Sequence, residues 1–137
     1  MFVDASAIVA ILTREPEADA LIHAVDTASS LVTSPIAVFE AVLGICRKRH
    51  GSVAESQRDV LDFLSIAGIH ISGISAREAE TALDAAARYD KGRGHPAQLN
   101  LGDCFAYASA KNLQVPLLFK GEDFDKTDIP SGMLLPG

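Results

Sequence analysis

Met1-Phe2-Val3-Asp4-Ala5-Ser6-Ala7-Ile8-Val9-Ala10-Ile11-Leu12 is the stretch that decides the fold. Phe2-Val3 is a short, bulky apolar pair suited to a buried strand, and from Ala5 onward the chain switches to good helix formers. A strand that passes straight into a helix is the opening of a parallel α/β unit, and it leaves Asp4 standing at the junction.

Outward from this stretch the alternation repeats. Glu15-Pro16-Glu17 starts a second helix running to about Val25, and Ser30-Leu31-Val32-Thr33 is a brief β-branched strand. Ser34-Pro35 then supplies an N-cap and a first-turn proline for a helix to about His50. Gly51-Ser52 separates it from a helix over Val53 to Ala67, and Gly68-Ile69-His70-Ile71 gives a third strand. Ser75-Ala76-Arg77-Glu78 is a capping box that opens an alanine-rich helix ending near Tyr89. Lys91-Gly92-Arg93-Gly94-His95-Pro96 is a cationic loop, after which helix resumes over Leu101 to Leu113. Leu117-Leu118-Phe119 is a fourth strand, Lys120 to Lys126 a polar loop, and Thr127 to Ile129 a fifth strand. The order predicts an α/β fold with a mostly parallel central sheet, helices on both faces and right-handed connections.

The chain has 137 residues, room for a single domain over 1–137, and 48% hydrophobic residues give it enough apolar surface to fold rather than stay disordered. Its two cysteines, Cys46 and Cys104, lie in apolar helical patterns and read as reduced core residues, not a disulfide or a zinc site. Met1-Phe2-Val3 meets an acid at once, and no apolar run approaches the roughly 18 residues of a membrane span, so the reading is cytoplasmic. Eighteen acidic against 12 basic residues give a net charge of −6, a poor overall match to a polyanion. A site that gathers carboxylates around cations carries such local charge, and phosphate contacts can then come from small clusters. Arg47-Lys48-Arg49-His50 and the set Lys91, Arg93, His95 are the clusters available.

In open parallel sheets, sites form beyond the carboxyl ends of the strands. Asp4 is there, either as a helix cap or as a functional acid. Glu40 shares a helical face with Ile36 and Leu43 amid apolar neighbours, so it either meets a cation, a metal or donors, or sits solvated at the stripe's edge. Asp103 is favoured in the first turn of its helix by the dipole alone. Gly102 beside it weakens that helix by about 1 kcal/mol relative to alanine, and such a glycine marks a close approach. Gly121-Glu122-Asp123-Phe124-Asp125 places three acids in one loop at the same end of the sheet, and the sequence does not choose among them. Several carboxylates together suit hard cations such as Mg²⁺ or Mn²⁺, and phosphodiester cleavage with two metals needs them about 3.5–4 Å apart. Without cations the cluster would repel itself and hold raised pKa values.

Val3-Asp4-Ala5-Ser6-Ala7, Phe39-Glu40, Leu101-Gly102-Asp103-Cys104-Phe105-Ala106-Tyr107-Ala108 and Gly121-Glu122-Asp123-Phe124 resemble the successive motifs of PIN-domain toxins of the VapC type, in order and over the whole chain. The resemblance implies a Rossmann-like three-layer α/β/α sandwich, a Mg²⁺- or Mn²⁺-dependent endoribonuclease acting on structured RNA, a homodimer and a VapB-type antitoxin partner. It also implies metal-binding and catalytic roles for Asp4, Glu40 and Asp103, with Ser6 orienting Asp4 or a water unless it serves only as a helix cap. The fourth acid is placed on Asp123, with Glu122 and Asp125 as rivals, because Lys120-Gly121 stands where many members carry an acid or amide. Lys91, Arg93 and His95 are candidate RNA contacts, and apolar surface on Ala5–Leu12 and Val53–Leu64 is a candidate seat for the antitoxin. Two other readings remain: a phosphatase of the haloacid dehalogenase type, weakened because position 6 is Ser rather than an acid, and a PIN-like binding module that holds RNA or a partner without cutting.

Overall fold

Four parallel strands, β1 (Phe2–Val3), β2 (Leu31–Thr33), β3 (Ile69–Ile71) and β4 (Leu117–Leu118), form the central sheet of the computed structural model, in the order β3-β2-β1-β4. The structure describes residues 1–92 and 94–134. Six helices complete a three-layer α/β/α sandwich: α1 (Ala5–Leu12), α2 (Ala18–Thr27), α3 (Pro35–Arg49), α4 (Val53–Ala67), α5 (Ala76–Tyr89) and α6 (Leu101–Leu113). The register pairs Phe2 with both Val32 and Leu117, which puts β1 at the middle of the sheet with neither face nor edge open to water. That is why Phe2, Val3, Leu117 and Leu118 are fully buried and purely apolar.

Helix starts follow the local chemistry. Ser34 accepts from the Ala37 N–H to cap α3, with Pro35 in the first turn, and Ser75 with Glu78 forms the capping box of α5. A second capping box, Asn100 with Asp103, opens α6. The buried side chains form one continuous cluster that includes Ile8, Leu21, Ile45, Val60, Leu99 and Tyr107. Cys104 lies within it, whereas Cys46 is only half-buried, its thiol donating to the Gly51 carbonyl.

The expected fifth strand over Thr127 to Ile129 is not formed; the segment bends, and its ladder contact with β4 is reduced to a single parallel bridge between Leu117 and Ser131. Local side-chain bonds win over pairing there. Thr127 Oγ1 donates to the Phe124 carbonyl at 2.8 Å, and Asp128 is drawn sideways to the Lys111 ammonium at 3.0 Å and the Tyr107 hydroxyl at 2.5 Å. Pro130 adds no N–H to a ladder, although its carbonyl still accepts from Leu117.

The chain builds outward from β1 to β3, then returns to the other side of β1 to lay down β4. The strand order therefore reverses at β1 and β4. Loops leaving the carboxyl ends of two such neighbours run in opposite directions and leave a crevice between them. Asp4 leaves β1 at that crevice.

Candidate active site

Asp4 is the N-cap of α1, and its Oδ2 accepts from the Ser6 N–H at 3.0 Å and the Ser6 hydroxyl at 2.6 Å. The carboxylate is only 4% exposed. Burial pushes its pKa up, while the Ser6 bonds pull the other way. Cap and buried acid are thus one residue, and Ser6 itself caps nothing. Its hydroxyl serves as a relay, accepting from the Lys120 N–H at 3.0 Å while donating to Asp4.

Glu40 rises from the second turn of α3 and is half-buried, not solvated at an edge. Its carboxyl is pushed up to about 7, chiefly by burial and then by the charges of Asp4 and Asp103. The reason it fits is Gly102. A Cβ built on that residue would fall onto the Glu40 carboxylate, so the glycine is the space that the acid occupies. Asp103 is the third residue of α6, with Oδ2 accepting from the Asn100 N–H at 3.1 Å. Burial raises it to about 6, opposed by the Asn100 bond and assisted by the charges of Asp4 and Asp123.

Asp123 is exposed in a short 3-10 turn, Asp123–Lys126, reached through Gly121 at φ +104°, a conformation that favours glycine. It contributes to the field at Asp103, whereas Glu122 reaches toward Lys126 at 4.0 Å and no coupling of Asp125 to the cluster is seen among the described residues. The structure therefore brings Asp4, Glu40 and Asp103 together at the crevice, with Asp123 acting on Asp103 alone among them. Each donor is a hard carboxylate oxygen, and neighbouring Cys104 is held as a thiol, pushed up to about 11 by burial and by Asp90 and Asp103. Among the described residues no three acids, histidines or cysteines are drawn into a ready-made ion shell. This donor set fits Mg²⁺ or Mn²⁺, hard cations that keep several waters and need few protein carboxylates, and it does not fit zinc.

The cationic residues fare differently. Lys91 is exposed, and its N–H to the Leu99 carbonyl at 2.9 Å closes the neck of the loop before α6. His95 turns inward: its ring packs edge-on against Tyr89, and Nδ1 accepts from the Ala97 N–H at 3.0 Å. Arg93 lies outside the described residues. In the last turn of α3, favoured there by the helix dipole, Lys48 pairs with Glu15, and Arg49 pairs with Asp59 at 2.9 Å and donates to the Leu12 carbonyl. Sequence reasoning missed Asn100, Lys120 and Glu15. Asn100 was findable as the cap three residues before Asp103. Nothing in the sequence announces Glu15, whose partners lie 33 and 105 positions away.

The family model of the PIN domain matches residues 1–130. The chain belongs to the PIN domain family. Among curated proteins, this PIN domain is 41% identical to a VapC ribonuclease of Rhizobium meliloti, with 93% of this chain and 98% of the relative covered. It is 40% identical to ribonuclease VapC30 of Mycobacterium tuberculosis, with 94% and 95% covered. Among solved structures, VapC20 of Mycobacterium tuberculosis, a sarcin-ricin loop cleaving toxin, shares the fold at a TM-score of 0.73 and 12% identity over 93% of this chain and 95% of that one. A toxin-antitoxin complex from Klebsiella pneumoniae follows at a TM-score of 0.64 and 21% identity, covering 90% and 88%.

Proposed function

We propose that this PIN domain is a Mg²⁺- or Mn²⁺-dependent endoribonuclease and the toxin of a toxin–antitoxin pair, with Asp4, Glu40, Asp103 and Asp123 as its metal-holding catalytic acids. The observation that carries this reading is the gathering of acids at the crevice, where burial first and the neighbouring carboxylates second push Glu40 up to about 7 and Asp103 up to about 6. Acids held together against their own charge suit a divalent cation, and the VapC relatives supply the reaction class.

When bound, the cation supplies a Lewis acid for the phosphodiester and an activated water. The chain supplies the placement. Ser6 fixes Asp4 through two hydrogen bonds, Asn100 ties Asp103 to the start of α6, and Gly102 lets Glu40 reach between them. The Ser6 hydroxyl already gives its proton to Asp4 and accepts from Lys120, and the Cys104 thiol stays protonated. Neither is a ready nucleophile, so water attacks and the products carry 5′-phosphates. The test is cleavage of structured RNA with Mn²⁺ by wild type, Asp4→Asn and Asp103→Asn. Wild type should cut and EDTA should stop it; either variant should lose cleavage while keeping its melting transition. Cutting in EDTA, or 2′,3′-cyclic phosphate ends, would overturn the reading.

The same proposal extends to the surroundings. The protein acts in the cytoplasm as one domain; no helix among the described residues is long and apolar enough to cross a membrane. A VapB-type antitoxin helix lies in the groove of about 740 Å³ floored by Ile11, Leu12, Ile22 and Phe63 of α1, α2 and α4, and one of its arginines enters the acid cluster in competition with metal. Inhibition by the antitoxin should then weaken as Mn²⁺ rises and fail when its arginines are replaced. A second copy covers the separate apolar face of Phe39, Val53 and Ile71, of which Phe39 is 66% exposed. Sedimentation should show a dimer that Phe39→Asp dissociates.

A further inference from the structure

Lys120 is tied by its backbone to the acid cluster, because only the Ser6 hydroxyl separates its N–H from the Asp4 carboxylate. An ammonium carried on a residue whose backbone is anchored there would be expected to fold onto the acids. It does not. Its Nζ is bound by Glu15 Oε2 and stands 3.3 Å from Glu17 Oε2. Among the described residues, the charges that act on Glu40 and Asp103 are those of other acids.

Glu15 is built for this capture. Arg14 takes a left-handed turn at φ +54°, and the Glu15 N–H is pinned to the Ala10 carbonyl at 2.9 Å, which aims the side chain back across α1. Its side chain is only 11% exposed, and its other oxygen is bound by Lys48 from the end of α3. Two lysines distant in sequence thus share one mostly buried carboxylate, which fixes its position more firmly than a lone surface pair would.

We infer that Glu15, assisted by Glu17, is a positioning residue that holds the Lys120 ammonium away from the acid cluster and so keeps the carboxylates available to a divalent cation. The inference rests on the metal-dependent reading above. With Glu15 neutralised, Lys120 swings toward Asp4 and its neighbours and competes with the cation as an internal counter-ion.

The experiment is calorimetric titration of the metal-free protein with Mn²⁺ alone, for wild type, Glu15→Gln, Lys120→Met, Lys48→Met and Glu15→Gln/Lys120→Met, each first checked for a cooperative melt. Glu15→Gln should weaken Mn²⁺ binding about tenfold, the low end of what changes just outside a metal site cost. Lys48→Met, which leaves Glu15 charged and paired with Lys120, should weaken it less than Glu15→Gln does, and the double variant should return to wild-type affinity. If Glu15→Gln binds as wild type does, or the double variant stays as weak as Glu15→Gln, the inference is wrong. If Glu15→Gln does not fold, Glu15→Asp with and without Lys120→Met carries the same comparison. Wild type that binds no Mn²⁺ would overturn the metal-dependent reading itself, a separate outcome.

Discussion

Gly102→Ala sets two local energies against each other with opposite signs for stability and activity. Alanine is favoured over glycine in a helix by about 1 kcal/mol, less in a first turn such as this one. The new methyl lands on the Glu40 carboxylate, the far end of a flexible side chain, so the acid moves and the backbones of α3 and α6 need not. Glu40 then leaves the fields of Asp4 and Asp103. Its rise from 4.5 to about 7 corresponds to about 3 kcal/mol at 1.36 kcal/mol per unit in the metal-free protein. Half-burial and the shared titration of neighbouring acids reduce this to about 1–2 kcal/mol.

The pH dependence has a definite sign. Glu40 holds its proton more tightly folded than unfolded, so its stability advantage is present below the unfolded value of 4.5 and is lost as pH rises through about 7. Gly102→Ala should therefore melt at or slightly below wild type near pH 4.5 and a few degrees above it at pH 8 in EDTA, taking about 3–4 °C per kcal/mol for a chain of this size. With Mn²⁺ the same variant should cut RNA at least about tenfold more slowly, since Glu40 no longer faces the cluster. Differential scanning fluorimetry at the two pH values and a cleavage time course measure both. A variant that cuts at the wild-type rate, or whose melting difference does not change with pH, would refute the reasoning.

Asp103, raised from 3.8 to about 6, makes the same demand on the whole molecule: metal-free wild type should be more stable at pH 5 than at pH 8, and saturating Mn²⁺ should narrow that gap in thermal melts. Lys91→Ala should lower RNA affinity and reduce the slope of log affinity against log salt by about 0.7–0.9, read by fluorescence anisotropy; an unchanged slope would make the loop a plain solvated surface. Asp128→Ala should lower the melting temperature at pH 7, because Tyr107, 1% exposed, loses its acceptor and the segment after α6 loses its anchor. Asp128 is held down at about 2, so its contribution is present above 3.8 and fades as acid approaches 2; the variant and wild type should converge there.

The helices and most strands were legible because their signals are local. Ser34-Pro35 and Ser75-Ala76-Arg77-Glu78 satisfy helix N–H groups with side chains a few residues away, and such bonds form whatever the rest of the chain does. Thr127 to Ile129 misled because its composition suits a strand. Its fate was set by Lys111 and Tyr107, 17 and 21 residues away from Asp128. The cationic loop misled in part for the same reason: His95 looks available in sequence, and only the packing of Tyr89 at the end of α5 draws its ring inward.

The site shows the same division more sharply. Gly102 carried a readable anomaly, a helix-weakening residue beside an acid, and the close approach it signalled is the Glu40 carboxylate itself. Asp123 could not be told from Glu122 and Asp125 by sequence, since all three are exposed loop acids; what separates them in the structure is that the charge of Asp123 acts on Asp103. The net charge of −6 argued against a polyanionic substrate only when taken as an average. Its distribution argues otherwise. Three acids converge at the switch point with Asp123 beside Asp103, and a divalent cation bound there, as proposed above, would reverse the local sign, while Lys120 is drawn onto Glu15 and Lys48 onto the same carboxylate. Those pairings spend positive charge on holding acids and loops in place, so on the proposed reading the local field that an RNA phosphate meets would be set by metal occupancy rather than by these lysines. Affinity for RNA should accordingly depend more steeply on divalent cation than a protein that binds through a basic patch would allow.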